Sequence, residues 1–368
     1  MELVWIVRQR QELTLPNFGR CSMIFAIPAS LGLTVALILM LHPLAAVVGL
    51  LDQPSTRKQH TGSVPLIGGI AIYTALIVCA LAAPAWQTSS GVGLLGLCFP
   101  ILAVGVADDR WDVSFKGRMV LEVLCCLAAA EWFGVRLESL GELWPGISVS
   151  LGWLAVPVTI IGMVGVMNAF NMIDGVDGLS GGLGFIIFGS LALLAFPVDP
   201  EISLQLFCFS TALFGFLLFN SRFFGRSKAA VFMGDAGTMI LGFAVSWYLI
   251  RLSQGGAAAI TPVMALWLFA IPLMDTLAVS IRRIRRGCSP FQPDRCHLHH
   301  LLLDFGFNVN RAVLVIMGMQ CTCVLFAVVT MRFGIPQWQS FWLFIAVFVG
   351  YAGITEWFCC RRDHQRAC

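Results

Sequence analysis

Charge is what this sequence has least of. Only 12% of its 368 residues are Asp, Glu, Lys or Arg, and 58% are hydrophobic. A soluble globular domain is closer to ~25% charged. A water-soluble core cannot hide so much apolar surface, whereas lipid can. Other absences narrow the chemistry. The thirteen cysteines contain no CxxC pair, and many sit in apolar runs, so they read as small buried hydrophobes rather than as disulfides. No HExxH sequence supports a zinc hydrolase, and no Walker A sequence supports ATP-driven transport. GVGLLG at 91–96 matches GxGxxG, but no βαβ unit surrounds it, which excludes a dinucleotide site. Nothing asks for a nucleic-acid partner. No long polar linker interrupts the chain, so a single helical bundle is expected.

What is present is a series of apolar runs. A membrane helix needs ~20 mostly apolar residues. Eleven candidates lie near 22–50, 65–86, 91–107, 118–134, 150–168, 179–197, 203–220, 231–250, 258–280, 312–331 and 336–358. The expected fold is therefore all-α, a polytopic integral membrane protein of about eleven transmembrane helices. Residues 1–21 read as an N-terminal extension, 22–358 as one transmembrane domain and 359–368 as a cytoplasmic tail. The first run is too long for a signal-peptide core and reads as a retained anchor.

Loops on the cytoplasmic side carry the excess of Lys and Arg. With the C-terminal tail inside, 17 of the 23 basic residues fall inside. The same choice, made on basic residues alone, also sorts the acidic ones. Asp52, Asp108, Asp109, Asp112, Asp174, Asp177, Asp235 and Asp294 all fall inside, with five of the six histidines. A scaffold that only spans the membrane has no need to gather polar chemistry on one face, whereas an active site does.

Five inside segments carry that chemistry. LDQPSTRKQHTGSVPLIGG holds Arg57, Lys58 and His60 before a glycine pair. It reads either as a basic anchor beside anionic lipid or as a phosphate-binding loop whose glycines let backbone N–H groups approach an anion. ADDRWDVSFKGR sets Asp108 and Asp109 side by side at a helix end, with Lys116 following. It suits a metal, a proton-transfer task or a solvated Asp–Arg pair. NAFNMIDGVDGLSGG repeats Asn168, Asn171, Asp174 and Asp177 at every third residue, hard oxygen ligands that suit Mg²⁺ or Mn²⁺ rather than zinc, or donors to a nucleotide. VFMGDAG puts Asp235 between glycines at the start of an apolar run, as a helix cap or a metal ligand. The longest inside loop ends in SPFQPDRCHLHH, with Arg295, His297, His299 and His300. It lacks the partners for tetrahedral zinc and fits donors to a pyrophosphate better. Carboxylates for a divalent cation, basic groups for phosphates and a membrane setting point together to phosphoryl transfer between a soluble nucleotide and a lipid phosphate.

The segments DQPSTRKQHTGSVPLIGG, ADDRWD, NMIDGVDGL, VFMGDAG, IPLMD and SPFQPDRCHLHH occur in this order from Leu51 to Phe305. In them the chain resembles the polyprenyl-phosphate N-acetylhexosamine-1-phosphate transferases, the group of WecA, TagO and MraY, and looks most like the WecA type. The first twenty residues have no counterpart in that family. The resemblance implies transfer of GlcNAc-1-phosphate from UDP-GlcNAc to undecaprenyl phosphate, giving undecaprenyl-pyrophosphoryl-GlcNAc and UMP with Mg²⁺ or Mn²⁺. This is the initiating step of a lipid-linked cell-surface glycan, in a bacterial inner membrane. It also implies roles. Asp235 and Asp177 would bind the metal. Asp109, with Asp108, would deprotonate or orient the lipid phosphate. Asn171 and Asp174 would line the nucleotide site. Lys116, Arg295, His297, His299 and His300 would hold the pyrophosphate or sugar, and Arg57, Lys58 and His60 complete the substrate-binding set. The reading admits a homodimer. The alternatives are the same chemistry with UDP-FucNAc, UDP-QuiNAc or UDP-GalNAc and, more remotely, a lipid-linked sugar transporter. A transporter would place ionisable residues at the bilayer midplane, and here they gather at one side.

Overall fold

In lipid a backbone must satisfy its own hydrogen bonds, so long apolar runs become helices. The computed structural model describes residues 17–52, 62–256, 258–289 and 296–367. Its helices are α1 (Asn17–Val48), α2 (Gly68–Ala82), α3 (Ser89–Trp111), α4 (Phe115–Trp132), α5 (Ala155–Ile173), α6 (Leu179–Ala195), α7 (Pro200–Asn220) and α8 (Gly234–Ser253). They continue as α9 (Pro262–Leu268), α10 (Ala270–Arg285), α11 (Leu298–Asp304), α12 (Val309–Arg332) and α13 (Gln337–Ala367). Two small antiparallel pairs join them: β1 (Leu51–Asp52) with β2 (Val64–Pro65), and β3 (Ser139–Trp144) with β4 (Ile147–Ser150).

Each predicted apolar run coincides with a helix or, for the ninth, with a bent pair of helices. Among the described residues seven helices are long and apolar enough to cross a membrane, or eight if the bent pair is one span. The shorter ones explain the difference from eleven. The 15 residues of α2 reach only about 22 Å at 1.5 Å per residue, against a hydrocarbon core of ~30 Å. The 17-residue α6 is also short, and α4 carries Lys116, Arg118, Glu122 and Glu131. The all-α, multi-pass architecture stands, while the count of eleven stays an expectation. Helix α1 begins inside the predicted extension, and α13 runs through the predicted tail to Ala367.

The ninth run was expected as one span near 258–280. It breaks at Phe269, where α9 and α10 meet at 82°. Broken helices at membrane depth need partners for the freed backbone groups. Gln320 of α12 supplies them: its Oε1 accepts from Ile271 N at 3.1 Å, and its Nε2 donates to Leu268 O at 2.9 Å. Pro272, three residues into α10, has no N–H to lose.

Helix α8 is the pillar of the bundle. Nearly all its residues are buried, the sign of a helix surrounded by others. Helices α2, α3, α5 and α6 pack around it. Three of these contacts run backbone against backbone. A Cβ on Gly69 would overlap Gly237, one on Gly105 would overlap Ala236, and one on Gly242 would overlap Met167. Small residues at helix crossings allow this approach. The chain entering α8 is fixed as well, since Gly68 N and Gly69 N donate to Phe232 O and Met233 O, both at 3.0 Å.

The bundle has two chemically different ends. At one, Gln254 after α8 accepts from Glu138 N and Ser139 N beside the β3–β4 hairpin, and Trp342 Nε1 donates to Leu143 O. At the other, the C-terminal ends of α3 and α5 meet the first turns of α4 and α8.

Candidate functional site

The second end gathers the carboxylates. Asp108 and Asp109 close α3, and Arg118 stands one turn into α4. Arg118 Nη1 lies 2.5 Å from Asp108 Oδ2 and 3.2 Å from Asp235 Oδ2 in the first turn of α8. Its Nε is 3.8 Å from Glu122 Oε1. One guanidinium thus bridges acids from three helices. Asn171, in the last turn of α5, donates from Nδ2 to the other oxygen of Asp235 at 2.6 Å and to Thr238 Oγ1 at 3.1 Å. Buried Glu122 is further joined to Asn168 at 3.4 Å. Asp235 is the accessible acid of the group, with 39% of its side chain exposed against 7% for Asp108.

Asp109 does something different. Its Oδ1 accepts from Asp235 N at 2.9 Å and its Oδ2 from Ala236 N at 3.3 Å. The first N–H groups of a helix have no intrahelical partner, so Asp109 caps α8 from another helix. Its negative charge suits the positive end of the helix dipole. Gly234 permits the approach, with φ at +74° and no side chain to strike the Asp109 carboxylate.

The loop from α5 to α6 forms the second wall. Asp174 Oδ1 accepts from Ser180 Oγ at 2.5 Å. Asp177 Oδ2 accepts from Arg222 Nε at 2.6 Å and from Ala229 N at 3.1 Å. Asn220 pins the loop, accepting from Gly178 N and donating to Val231 O. Burial, with the charges of Asp235 and Asp177 adding to it, pushes the Asp174 carboxyl up to about 7 against the Ser180 hydrogen bond that favours its charged form. An unfolded aspartate ionises near ~4, so raising the pH from there to about 7 favours the unfolded chain. Asp174 therefore stabilises the fold fully at low pH, and this is lost as the pH rises through about 7. The melting midpoint in detergent is expected to fall between pH 5 and pH 8, and to fall less steeply in Asp174→Asn. Equal slopes would show that Asp174 does not titrate in this window.

The histidine segment closes the site. His299 is buried and packs against Gly175, where a Cβ would overlap its Nε2. The ring stacks on His297 at a centroid distance of 5.7 Å and touches His300 at 4.2 Å. Neither ring nitrogen of His299 has a hydrogen-bond partner. Burial, with two neighbouring imidazoles, holds its pKa well below the usual range, so the ring is neutral at pH 7. His297 has both nitrogens engaged, Nδ1 by Asp275 Oδ2 at 2.7 Å and Nε2 by Arg283 Nη2 at 3.4 Å. Gly175→Ala is expected to expel the His299 ring, which its neighbours leave no room to receive. Overpacking of this kind costs ~1–3 kcal/mol. Calorimetric melting checks it, and an unchanged midpoint would mean that the loop and the histidines move apart freely.

The predicted residues therefore divide. Asp108, Asp109, Asn171 and Asp235 are joined directly or through Arg118, and Asp174 with His299 forms the adjoining wall. No hydrogen bond or ion pair among the described residues joins Asp177 to Asp235. Lys116 is exposed on the first turn of α4. Arg57, Lys58, His60 and Arg295 lie outside the described residues. Arg118 and Glu122 are absent from the predicted set. Arg118 counted only as a positive-inside charge, yet its place ten residues after Asp108, across a short turn, was a usable signal. No three His, Cys, Asp or Glu residues among those described form a closed metal cage. Mg²⁺ seldom uses one, since it takes one or two carboxylates and completes its shell with water and substrate phosphates. A half-exposed Asp235 beside a second carboxylate fits that donor set.

Residues 91–253 match the family described as Glycosyl transferase family 4. An undecaprenyl-phosphate alpha-N-acetylglucosaminyl 1-phosphate transferase of Yersinia pestis is 37% identical over 322 residues, covering 86% of this chain and 87% of that protein. The Haemophilus influenzae protein of the same name is 35% identical over 347 residues, covering 92% and 96%. The one from Escherichia coli K12 is 34% identical over 322 residues, covering 86% and 87%.

Proposed function

The chain belongs to glycosyl transferase family 4 and, within it, to the polyprenyl-phosphate N-acetylhexosamine-1-phosphate transferases; from that premise we propose that it transfers GlcNAc-1-phosphate from UDP-GlcNAc to undecaprenyl phosphate, releasing UMP. A phosphate oxygen of the lipid attacks the β-phosphorus of the nucleotide sugar, and the bond from that phosphorus to the bridging oxygen breaks. The observation that carries the reading is the meeting of Asp108, Arg118, Asn171 and Asp235, from four helices, at one end of a membrane bundle.

Such a transfer depends on positioning and charge neutralisation more than on covalent chemistry. Asp235, oriented by Asn171, is the residue to hold Mg²⁺ or Mn²⁺, which supplies neutralisation of the diphosphate when bound. Arg118 offers a fixed positive charge beside it. Asp108, paired with Arg118 and close to the Asp235 carboxyl, is the group to take or hold a proton of the lipid phosphate. Asp109 fixes the first turn of α8 and hence Asp235. Asp174 and neutral His299 face the donor, His299 with two nitrogens unused by the protein. The basic-residue distribution supports a cytosol-facing site and a cytoplasmic C-terminus in the inner membrane.

Purified protein, undecaprenyl phosphate and Mg²⁺ tested against a panel of UDP-N-acetylhexosamines should release UMP with UDP-GlcNAc. EDTA should stop the reaction, and Mg²⁺ or Mn²⁺ should restore it. UMP release with UDP-FucNAc, UDP-QuiNAc or UDP-GalNAc but not UDP-GlcNAc would overturn the donor assignment.

A further inference from the structure

Asp275 lies in α10 and is fully buried, with no part in the reaction described above. Its carboxylate is nonetheless the most heavily engaged in the histidine segment. Oδ2 is 2.7 Å from His297 Nδ1, while Oδ1 accepts from Leu298 N at 2.9 Å and from Tyr351 OH at 2.8 Å. Three pieces of chain, α10, the start of α11 and α13, thus meet on one buried anion. A buried carboxylate needs such donors to remain charged.

The two neighbours of His297 settle its tautomer. A carboxylate can only accept, so Nδ1 carries the proton. A guanidinium can only donate, so Nε2, 3.4 Å from Arg283 Nη2, presents its lone pair. The ring is then held at both edges, and it stacks nearly parallel to His299, with 10° between the planes.

We propose that Asp275 is a positioning residue for the transfer reaction. By fixing the Nδ1–H tautomer of His297 and anchoring Leu298 N, it sets the platform on which His299 faces Gly175 and the donor. The proposal rests on the reading of His299 as a donor contact. Asp275 touches neither substrate. It acts through His297, as second-layer carboxylates do when they orient an imidazole.

The test is Asp275→Asn. An amide in that place keeps the shape but directs an N–H at Nδ1. The proton moves to Nε2, where it opposes the Arg283 donor. The same exchange beside other imidazoles yields a preserved fold with the wrong tautomer. In purified protein labelled with ¹⁵N-histidine, the His297 signal should change from Nδ1-protonated to Nε2-protonated. The KM for UDP-GlcNAc should rise ~10-fold, with the KM for undecaprenyl phosphate unchanged. In a double-mutant cycle with His297→Gln the two effects on donor KM should be strongly non-additive. An unchanged His297 tautomer, or effects that multiply independently, would overturn the proposal. Tyr351→Phe removes one donor but keeps the charge. It should leave the tautomer as it is and raise the donor KM less than threefold, whereas a rise equal to that of Asp275→Asn would assign the effect to packing of α13 and overturn the proposal. His299→Ala separates the two readings. An unchanged donor KM in that variant removes His299 as a donor contact, and the tautomer result still reports on Asp275.

Discussion

Asp235→Ala is expected to lower UMP release by ~10³-fold or more, a loss of roughly 4 kcal/mol of transition-state stabilisation. The carboxylate is the accessible acid of the cluster and the residue on which two separate helices converge, Asn171 from α5 and Arg118 from α4. Removing it takes away the hard oxygen that would hold the divalent cation. The fold should tolerate the change. Arg118 keeps Asp108 and Glu122, and Asn171 keeps Thr238. The melting midpoint in detergent should therefore shift by only a few degrees, and Mn²⁺ binding followed by electron paramagnetic resonance should be lost together with turnover. Near-normal release with intact Mn²⁺ binding would remove Asp235 as the ligand.

Asp109→Asn should lower turnover by ~10²-fold, the scale on which misplacing a catalytic group acts, and here stability should fall with it. Both Asp109 oxygens accept backbone N–H groups at the start of α8. Asparagine offers one oxygen, and its amide nitrogen would point a donor at a donor. An N–H left unsatisfied in a buried place costs ~1–3 kcal/mol, and the lost charge at the helix N-terminus adds ~0.3–1 kcal/mol. Asp108→Asn provides the contrast. It removes the charge paired with Arg118 but keeps an oxygen to accept from it, and leaves the backbone N–H groups of α8 capped by Asp109, so turnover should fall while the melting midpoint stays nearly constant. An Asp109→Asn enzyme that lost turnover at unchanged stability would return Asp109 to direct contact with the lipid phosphate.

The two aspartates are neighbours in a motif that gave no way to tell them apart. Their division of labour depends on a partner 126 residues away in the chain. The apolar runs were readable because lipid makes a simple demand, about twenty residues without charge. The break at Phe269 was not, because the backbone groups it frees are satisfied by Gln320 from a different helix. The gathering of the acidic residues at one end of the bundle was legible from the basic-residue pattern; which side of the membrane that end faces stays an expectation. The roles of individual cations were not legible. Arg118 looks like any inside-facing arginine unless its place ten residues after Asp108, across a short turn, is weighed. Three histidines within four residues also looked equivalent. Packing separates them, closing His297 between Asp275 and Arg283 and leaving His299 buried with both ring nitrogens unpartnered.

The crossings at Gly69, Gly105 and Gly242 bring the backbone of α8 directly against three neighbouring helices. Gly242 stands seven residues beyond Asp235, about 10 Å deeper along the helix axis. Anything that wedges the crossing there, even one methyl group, reaches the aqueous edge as a displaced carboxylate. Damage at such a crossing would thus surface as impaired turnover, and a screen for inactive variants would recover hydrophobic positions remote from the carboxylate cluster.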